Sequence, residues 1–218
     1  PQELGNLFRL EFLNMFSNFL GGTIPARLSN CSRLLMLSVE SNDLGEGIPS
    51  EIGSLTKLVN LYLGRNNLKG KLPASLGNLT SLTKLSFGDN NIGGIPDDIA
   101  KLTQIEILET SGNNLSGVFP PAVYNLSSLK LLYMYDNGFS GSLRPDFGSL
   151  LPNLEQLNLR ENNLTGPIPA TLPNISTLQI LEFENNNLIG SIPLSFGKAR
   201  KLQYFGLAGN SLGSNSFG

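Results

Sequence analysis

The stretch "LVNLYLGRNNLKGKLPASLGNLTS", from Leu58 to Ser81, decides the fold because its pattern recurs throughout the 218-residue chain. The pattern is L-x-x-L-x-L-x-x-N-x-L-x-G-x-I-P-x-x-L-G-x-L-x-x, and its copies are spaced 24 residues apart except for one spacing of 23 and one of 25. They begin at Leu10, Leu34, Leu58, Leu82, Ile105, Leu129, Leu154, Leu178 and Leu202. One unit cannot bury its own leucines, so the repetition predicts a solenoid in which neighbouring units cover each other.

The first part of each unit predicts a short strand. Leu61 and Leu63 flank Tyr62, and this alternation is typical of a strand with one buried face. Identical units stack such strands into a parallel sheet. Later in each unit an apolar residue precedes proline, as in Ile168-Pro169, and proline prevents a regular helix. We therefore predict an α/β-type solenoid with a parallel β-sheet on its concave face and irregular or 3-10 loops on its convex face.

An asparagine recurs eight residues after the head of each unit. The column comprises Asn18, Asn42, Asn66, Asn90, Asn113, Asn137, Asn162, Asn186 and Asn210. A buried amide can donate to and accept from backbone groups that lack sheet partners, so we predict an internal asparagine ladder. In "NNLTGPIP", residues 162–169, Asn162 belongs to this ladder, whereas Asn163 faces solvent at the start of a loop.

Composition excludes several classes of function. The chain has no histidine and one cysteine, so it lacks the commonest metal ligand and cannot form an internal disulfide. Its net charge of −2 argues against a nucleic-acid partner. We predict no catalytic residues, no metal and no cofactor, and we interpret Glu182 and Glu184 as solvent-facing charge rather than a glycosidase pair. We expect Cys31 to be a buried free thiol, with an intermolecular disulfide as the alternative.

The chain divides into a partial repeat at 1–9, eight full repeats at 10–201 and a partial repeat at 202–218. Because it starts and stops inside repeats, we expect it to be a fragment of a larger protein. The unit beginning at Leu82 is one residue short, and the unit beginning at Leu129 has Arg144 where proline is expected. We expect both irregularities to shift the loop path without breaking the stack.

The G-x-[IL]-P element in 24-residue units resembles the plant-specific leucine-rich repeats of receptor-like kinases, receptor-like proteins and cell-wall polygalacturonase inhibitors. The segments "LPASLGNLTSL", "VFPPAVYNLSSL" and "SLRPDFGSLLPNL" resemble the ectodomains of one receptor kinase subfamily. This subfamily contains the EF-Tu receptor, the flagellin receptor and the rice Xa-type resistance kinases. The resemblance is strongest to the EF-Tu receptor and covers residues 1–215.

The resemblance implies a single-pass receptor of the plant plasma membrane that acts in innate immunity. Its extracellular repeats would bind a microbial or endogenous peptide, and a cytoplasmic Ser/Thr kinase would belong to the full-length protein. The caps, the transmembrane span and the kinase are absent from residues 1–218. Contacts with a co-receptor kinase ectodomain are also expected outside this segment. We expect the segment itself to bind a ligand and not to catalyse a reaction.

Six triplets fit the acceptor pattern for N-linked sugars, which requires Asn-x-Ser/Thr. The acceptors are Asn30, Asn78, Asn114, Asn125, Asn163 and Asn174. All six avoid the predicted concave strands. With the resemblance, they predict N-linked glycans on the convex and flanking faces and a concave face left open for a ligand.

Apolar and aromatic side chains stand at strand positions that are expected to face the concave side. They include Tyr62, Tyr133 and Tyr135, and Arg160 follows on the next strand. Tyrosine and arginine are favoured at binding hot spots. The candidate ligand-binding residues are Tyr62, Tyr133, Tyr135, Arg160, Glu182, Glu184 and Tyr204. The competing interpretation is that these aromatic residues stack across adjacent strands and only stabilise the sheet.

Two other functions fit the repeat pattern. A soluble cell-wall inhibitor of a secreted enzyme, similar to the polygalacturonase inhibitors, would use the same face to bind a folded protein. A purely structural scaffold would have no specific partner there. The resemblance to receptor ectodomains favours a peptide or protein ligand on the concave face.

Overall fold

The computed structural model describes residues 1–213. In it the chain forms the predicted solenoid. Its concave face is a parallel sheet of nine strands, one from each unit, which follow one another in chain order. The strands are Phe12–Asn14, Met36–Ser38, Asn60–Tyr62, Lys84–Ser86, Ile107–Glu109, Leu131–Tyr133, Gln156–Asn158, Ile180–Glu182 and Tyr204–Gly206. Leu61 is in register with Leu37 on one side and Leu85 on the other, so equivalent residues form columns across the sheet.

These columns build one continuous core. Leu37, Leu61, Leu85 and Leu132 are each 0 % exposed, although their strand neighbours face the concave surface. Each fully buried leucine contributes about 1.5 to 3 kcal/mol. The stack is therefore held by leucines that contact only the adjacent units, as expected for a solenoid.

The convex face carries short 3-10 helices, most of which begin directly after an apolar-proline pair. They span Gln2–Asn6, Ala26–Asn30, Ser50–Ser54, Ala74–Asn78, Asp97–Lys101, Pro121–Asn125, Leu172–Asn174 and Leu194–Lys198. Pro73, for example, lies in the extended region with φ −68° and caps the helix that follows. The predicted 3-10 convex face is confirmed.

The unit that has Arg144 instead of proline forms a single α-helical turn, Phe147–Leu150, on the convex face. The Arg144 guanidinium binds the Asp146 carboxylate through two hydrogen bonds of 2.9 and 2.8 Å. It also lies 5.5 Å from the centre of the Tyr124 ring, and Tyr124 Oη accepts the backbone N–H of Arg144. Arg144 thus anchors the loop where proline would otherwise set its direction.

The asparagine ladder forms as predicted. Asn162 is 6 % exposed, and its Nδ2 donates to the carbonyl oxygens of Met134, Leu159 and Arg160 at 2.9 to 3.1 Å. Its Oδ1 accepts the backbone N–H of Phe139 at 3.0 Å. From Asn42 onward, each ladder amide closes the turn of its own unit and binds the unit before it, whereas Asn18 in the first unit is exposed and binds only its own turn.

The residue immediately before each ladder asparagine has a left-handed backbone. These residues are Ser17, Ser41, Arg65, Asp89, Gly112, Asp136, Glu161, Asn185 and Gly209. Their φ values lie between 52° and 69°. Most of them are not glycine, although the left-handed region costs other residues roughly 1 to 2 kcal/mol. The ladder bonds on either side hold this turn in place.

A second set of strands follows the ladder, where the sequence predicts a loop. Asn163 lies in the strand Asn163–Gly166, so the expectation of a loop at this residue is wrong, although its side chain is exposed as predicted. The strand forms because N–H and C=O groups of neighbouring units meet here in parallel register. One sheet contains Ser116–Val118, Gly138–Ser142, Asn163–Gly166, Asn187–Gly190 and Ser211–Leu212.

The shortened unit interrupts this second set of strands. Two smaller sheets precede the five-stranded one, pairing Gly21–Gly22 with Asp43–Leu44 and Lys69–Gly70 with Asn91–Ile92. The strand Asn91–Ile92 is not paired with Ser116–Val118. The concave sheet remains unbroken at the same point, as predicted, whereas the sheet on the flank does not.

Candidate ligand-binding face

The candidate ligand-binding residues all lie on the concave sheet or immediately after its strands. Three aromatic side chains there are largely exposed: Phe12 at 60 %, Phe16 at 51 % and Tyr204 at 49 %. Tyr62, Tyr133, Tyr135 and Arg160 are half-buried. The concave surface therefore presents a large aromatic area that the fold itself does not cover.

Tyr133, Tyr135 and Arg160 form a compact group, which we call the tyrosine-arginine patch. The Arg160 guanidinium carbon lies 4.7 Å from the centre of the Tyr135 ring, which is within range of a cation–π interaction. The Tyr133 hydroxyl donates a 2.6 Å hydrogen bond to Oε1 of Gln156 on the next strand. Both tyrosines are thus oriented by polar contacts with the neighbouring unit.

The carboxylates of Glu182 and Glu184 continue this surface. Glu182 accepts a hydrogen bond from the Asn158 amide, and Glu184 Oε1 accepts one of 2.8 Å from the Tyr204 hydroxyl. A Cβ at Gly206 would overlap the Glu184 carboxylate, so the glycine provides the space that this side chain occupies. Two polar atoms of this surface nevertheless remain buried without a hydrogen-bond partner, Nε of Arg160 and Oε2 of Glu184; elsewhere in residues 1–213, Asn60, Thr110 and Ser111 each have one such atom.

Tyr62 lies apart from the other candidate residues. Two strands, Lys84–Ser86 and Ile107–Glu109, separate its strand from that of Tyr133. At about 4.8 Å per strand, this is roughly 14 Å. The structure therefore brings together six of the seven candidates as a row along adjacent strands, from Tyr133 to Tyr204, and leaves Tyr62 at a distance.

A depression of about 190 Å³ lies between Tyr62 and the tyrosine-arginine patch, and sequence reasoning did not identify it. Its floor is open because Gly64 and Gly88 occupy the column that holds Tyr135 and Arg160 in later units. Its remaining lining residues are Glu40, Arg65, Ser86, Asp89, Glu109 and Tyr135. The two glycines at the same repeat position are the sequence signal that could have revealed it.

The electrostatics of this depression are acidic. Arg65 lies 3.5 Å from Asp89, whereas Glu40 and Glu109 add further carboxylates. Burial raises the pKa of Glu109, and the charges of Asp89 and Glu40 raise it further, although hydrogen bonds from Ser111 act in the opposite direction. Burial also raises the pKa of Glu182, with Glu184 as the next cause. The concave face thus favours a partner that brings positive charge.

The predicted sugar acceptors are all exposed and all lie outside the concave strands: Asn30, Asn78, Asn114, Asn125, Asn163 and Asn174. Asn30, Asn78, Asn125 and Asn174 each end a convex 3-10 helix. The placement is compatible with glycans on the convex and flanking faces. Their attachment stays a prediction.

Cys31 is a free cysteine that is fully buried, as predicted. Its thiol donates to the carbonyl oxygen of Leu4 at 3.3 Å, and burial raises its pKa. A protonated thiol shielded in this way is unsuited to an intermolecular disulfide.

Models of the leucine-rich-repeat family match most of the chain. One matches residues 56–115, and a second matches 9–31, 128–150, 153–175 and 177–199. None of the curated proteins compared with the chain matches it. Across residues 1–213, no helix combines the length and apolar character required to cross a bilayer.

The chain is similar to solved structures of plant receptor ectodomains. It is 37 % identical, with a TM-score of 0.94, to the ectodomain of GASSHO1/SCHENGEN3 from Arabidopsis thaliana in complex with CASPARIAN STRIP INTEGRITY FACTOR 2. It is 34 % identical, with a TM-score of 0.85, to the Arabidopsis HAESA ectodomain in complex with an IDA peptide hormone. A further HAESA structure, with IDA and the co-receptor SERK1, is 26 % identical with a TM-score of 0.70.

These alignments cover 97 % of the chain but only 26 %, 40 % and 44 % of the three solved chains, in the same order. The chain therefore spans about a quarter to two-fifths of the ectodomains it matches. Its repeats, its unbroken concave sheet and its family matches lead to one conclusion: the chain belongs to the leucine-rich-repeat proteins and closely resembles the ectodomains of plant receptor kinases.

Proposed function

We propose that the concave face binds an extended peptide and that this chain is the ligand-binding segment of a plant cell-surface receptor kinase. The observation that carries the proposal is the tyrosine-arginine patch with its unused hydrogen-bonding capacity. Nε of Arg160 and Oε2 of Glu184 are buried without partners. Buried polar atoms normally have a hydrogen-bond partner, and a bound peptide would supply one.

The dimensions of the concave face suit an extended peptide laid across the strands. Nine strands at a spacing of about 4.8 Å extend about 38 Å, which accommodates on the order of 11 extended residues. Such a peptide would contact the row from Tyr62 past the acidic depression to Tyr204. In the similar ectodomain of HAESA the bound ligand is a peptide hormone.

The charge of the surface restricts the ligand further. Glu109, Glu182 and Glu184 face the concave side, whereas Arg160 already contacts Tyr135. Burial is the first cause of the raised pKa values of Glu109 and Glu182, and neighbouring carboxylates raise both further, so a cation placed beside either group would stabilise its charged form. We infer that the peptide carries at least one lysine or arginine side chain and that its affinity falls as salt is added.

The finer features of the receptor follow from the sequence resemblance. The full-length protein would be a single-pass protein at the extracellular face of the plasma membrane, with a cytoplasmic Ser/Thr kinase. It would sense a microbial or endogenous peptide in innate immunity. N-linked glycans would cover the convex and flanking faces, and a co-receptor kinase ectodomain would contact repeats outside residues 1–218.

The experiment is a screen of the full-length ectodomain against synthetic libraries of microbial and plant-secreted peptides, followed by calorimetry. We expect Tyr133→Ala combined with Tyr135→Ala to weaken binding of the selected peptide at least a hundredfold. Two aromatic hot-spot residues of about 2 kcal/mol each would account for a loss of this size. Lys69→Ala, on the flanking sheet, is the control and should leave affinity unchanged.

Unchanged affinity of the double variant, with an intact circular dichroism spectrum, would remove the tyrosine-arginine patch from the binding surface. The competing function as an enzyme inhibitor predicts a different result. In that case no peptide would bind, and the same ectodomain would inhibit a secreted polygalacturonase in a reducing-sugar assay. The two outcomes distinguish a peptide receptor from a cell-wall inhibitor.

A further inference from the structure

The shortened unit leaves a cleft on the flank of the solenoid, remote from the concave strands. Within residues 91–118, the strand Asn91–Ile92 is not paired with the strand Ser116–Val118, which has no neighbour on that side. The cleft between them has a volume of about 550 Å³, which is within the usual range of ligand pockets. We call it the edge cleft.

The edge cleft exposes backbone groups that other units pair. In preceding units the N–H groups of Gly45, Lys69 and Gly93 donate to the carbonyl oxygens of Gly22, Glu46 and Gly70 at 2.7 to 2.8 Å. The equivalent N–H belongs to Ser116, which has no such bond among the described residues, since the pairing of units stops at Asn114 N–H to Ile92 O. One missing residue thus removes the strand that would satisfy Ser116.

The direction of these free groups follows from the pairing on the other side of the strand. Leu115 O accepts the N–H of Gly138, so Leu115 faces the following unit. Backbone groups alternate in direction along a strand, so those of Gly117 also face that unit, whereas those of Ser116 and Val118 point into the edge cleft. The cleft therefore presents two donors and two acceptors at the spacing of a strand.

The surface around these groups is about equally polar and apolar. The Val118 side chain is 65 % exposed at the mouth of the cleft, and Leu72, Ile95 and Phe139 lie beneath it. Lys71 and Asp97 contribute one positive and one negative charge. An occupant must therefore satisfy backbone hydrogen bonds and bring an apolar side chain.

We propose that the edge cleft binds an extended peptide segment of a partner protein, which adds as a strand to Ser116–Val118. The segment takes the place of the strand that the shortened unit lacks. Its backbone pairs with Ser116 and Val118, and an alternate side chain, such as leucine or valine, contacts Leu72, Ile95 and Phe139. Strand addition of this type obtains affinity from main-chain hydrogen bonds and specificity from the pockets for alternate side chains.

The geometry favours a peptide strand over a sugar. A glycan on the adjacent acceptor Asn114 would lie close to the cleft, but its hydroxyl groups do not repeat at the regular strand spacing of the free N–H and C=O groups of Ser116 and Val118. An extended backbone has both the spacing and an apolar side chain on one face.

The test uses a proline substitution for which the chain supplies its own precedent. Val118→Pro changes "GVFP" to "GPFP", which corresponds to "GPIP" at Gly166–Pro169 in a later unit, so proline is accepted at this repeat position. The substitution removes the Val118 donor. The matched control is Ser191→Pro, which changes "GSIP" to "GPIP" at the same repeat position but away from the cleft. Val118→Thr retains the donor and a similar shape.

Random linear peptides displayed on phage would be selected on the full protein and depleted on its Val118→Pro variant. We expect the selected peptides to alternate polar and apolar residues and to lose at least tenfold in affinity with Val118→Pro, but not with Ser191→Pro or Val118→Thr. Hydrogen exchange of the Ser116 amide should slow at least tenfold when peptide is bound.

Three results would overturn the proposal. The first is a selection that yields no peptide discriminating between the protein and its Val118→Pro variant. The second is a discriminating peptide that leaves Ser116 exchange unchanged. The third is peptide binding that occurs only in the Asn114→Gln variant, which lacks the sugar acceptor, because the glycan on Asn114 would then be the natural occupant of the cleft. Selected peptides whose binding is lost with Tyr133→Ala and Tyr135→Ala would bind the concave face and not the edge cleft. The proposed peptide binding at the concave face and the proposed strand addition at the edge cleft can therefore be refuted independently.

Discussion

The concave sheet and the flanking sheet are built from the same repeats, yet only the concave sheet is continuous. Nine strands follow one another on the concave side, whereas the flanking strands form three separate sheets, and one of the two breaks between them lies at the shortened unit. Buried leucines and ladder asparagines fix every concave strand, and all of them are present in that unit. The flanking strands depend instead on the number of residues between ladder and proline, which is where the unit is short. Loss of one residue between ladder and proline therefore disturbs the flanking pairing and leaves the concave sheet intact.

The largest effect expected from this comparison is at two adjacent asparagines. Asn162→Ala should lower the free energy of unfolding by roughly 1 to 3 kcal/mol, because it leaves the buried N–H of Phe139 and several carbonyl groups unpaired. Asn163→Ala, on the exposed flanking strand, should change it by less than about 0.5 kcal/mol. Denaturant unfolding of both variants measures the difference, and equal losses would mean that the ladder does not hold the concave side.

A smaller effect is expected when the missing residue is restored. Insertion of one serine between Gly94 and Ile95 gives the shortened unit its full 24 residues, keeps Gly94 at the repeat's glycine position and should extend the strand Asn91–Ile92 to pair with Ser116. We expect stability to rise by no more than about 1.5 kcal/mol, the net contribution of one hydrogen bond. The direct readout is slower hydrogen exchange at Ser116.

The matched control for this insertion is a serine placed between Gly190 and Ser191, which makes a regular unit one residue too long. It should not slow exchange at Ser116. If the restored unit also leaves exchange at Ser116 unchanged, unit length is not the cause of the break.

The smallest expected effect is a pH dependence that belongs to the concave face. The raised pKa of Glu109 means that the folded protein binds this proton more tightly than the unfolded chain. Stability should therefore fall as pH rises from the ordinary pKa of 4.5 through the folded value. Glu109→Gln keeps an oxygen that can accept the Ser111 N–H and should lose less stability over that window. Unfolding measured across the pH range tests this, and parallel profiles for both proteins would contradict it.

Much of the fold could be predicted from the sequence because its determinants recur at fixed spacing. The leucine alternation gave the concave strands, and the ladder asparagines gave the internal turn, as Asn162 demonstrates. The flanking strands were missed because pairing at residues such as Asn163 depends on backbone groups and leaves no alternating pattern in the residue types. The one-residue deletion was visible in the sequence. Its effect on the pairing of the flanking strands was not, because that effect depends on whether the deletion lies before or after the ladder asparagine.

The candidate site could be predicted only in part. The two-residue alternation of a strand identifies which positions face the concave side, so Tyr133, Tyr135 and Arg160 could be placed on one surface. The depression over Gly64 and Gly88 was not predicted. The two glycines lack side chains and become neighbours only when their strands pair, so they are far apart in the sequence. Tyr133 contacts Gln156 and Tyr135 contacts Arg160, so the partners of both tyrosines are polar. Aromatic stacking across strands, the competing interpretation from the sequence, would have required aromatic partners.

The left-handed residue before each ladder asparagine has a consequence for how such a surface can be redesigned. Glycine at this position would relieve backbone strain, but it would also increase the freedom of the unfolded chain, and these two effects oppose each other. The position accordingly holds glycine at Gly112 and other residues at Arg65 and Asp136. The seven units that already hold another residue at this position thus offer sites at the rim of the concave face for engineering new binding specificity, whereas a Cβ at Gly112 or Gly209 would meet the side chain of Asp89 or Asn185.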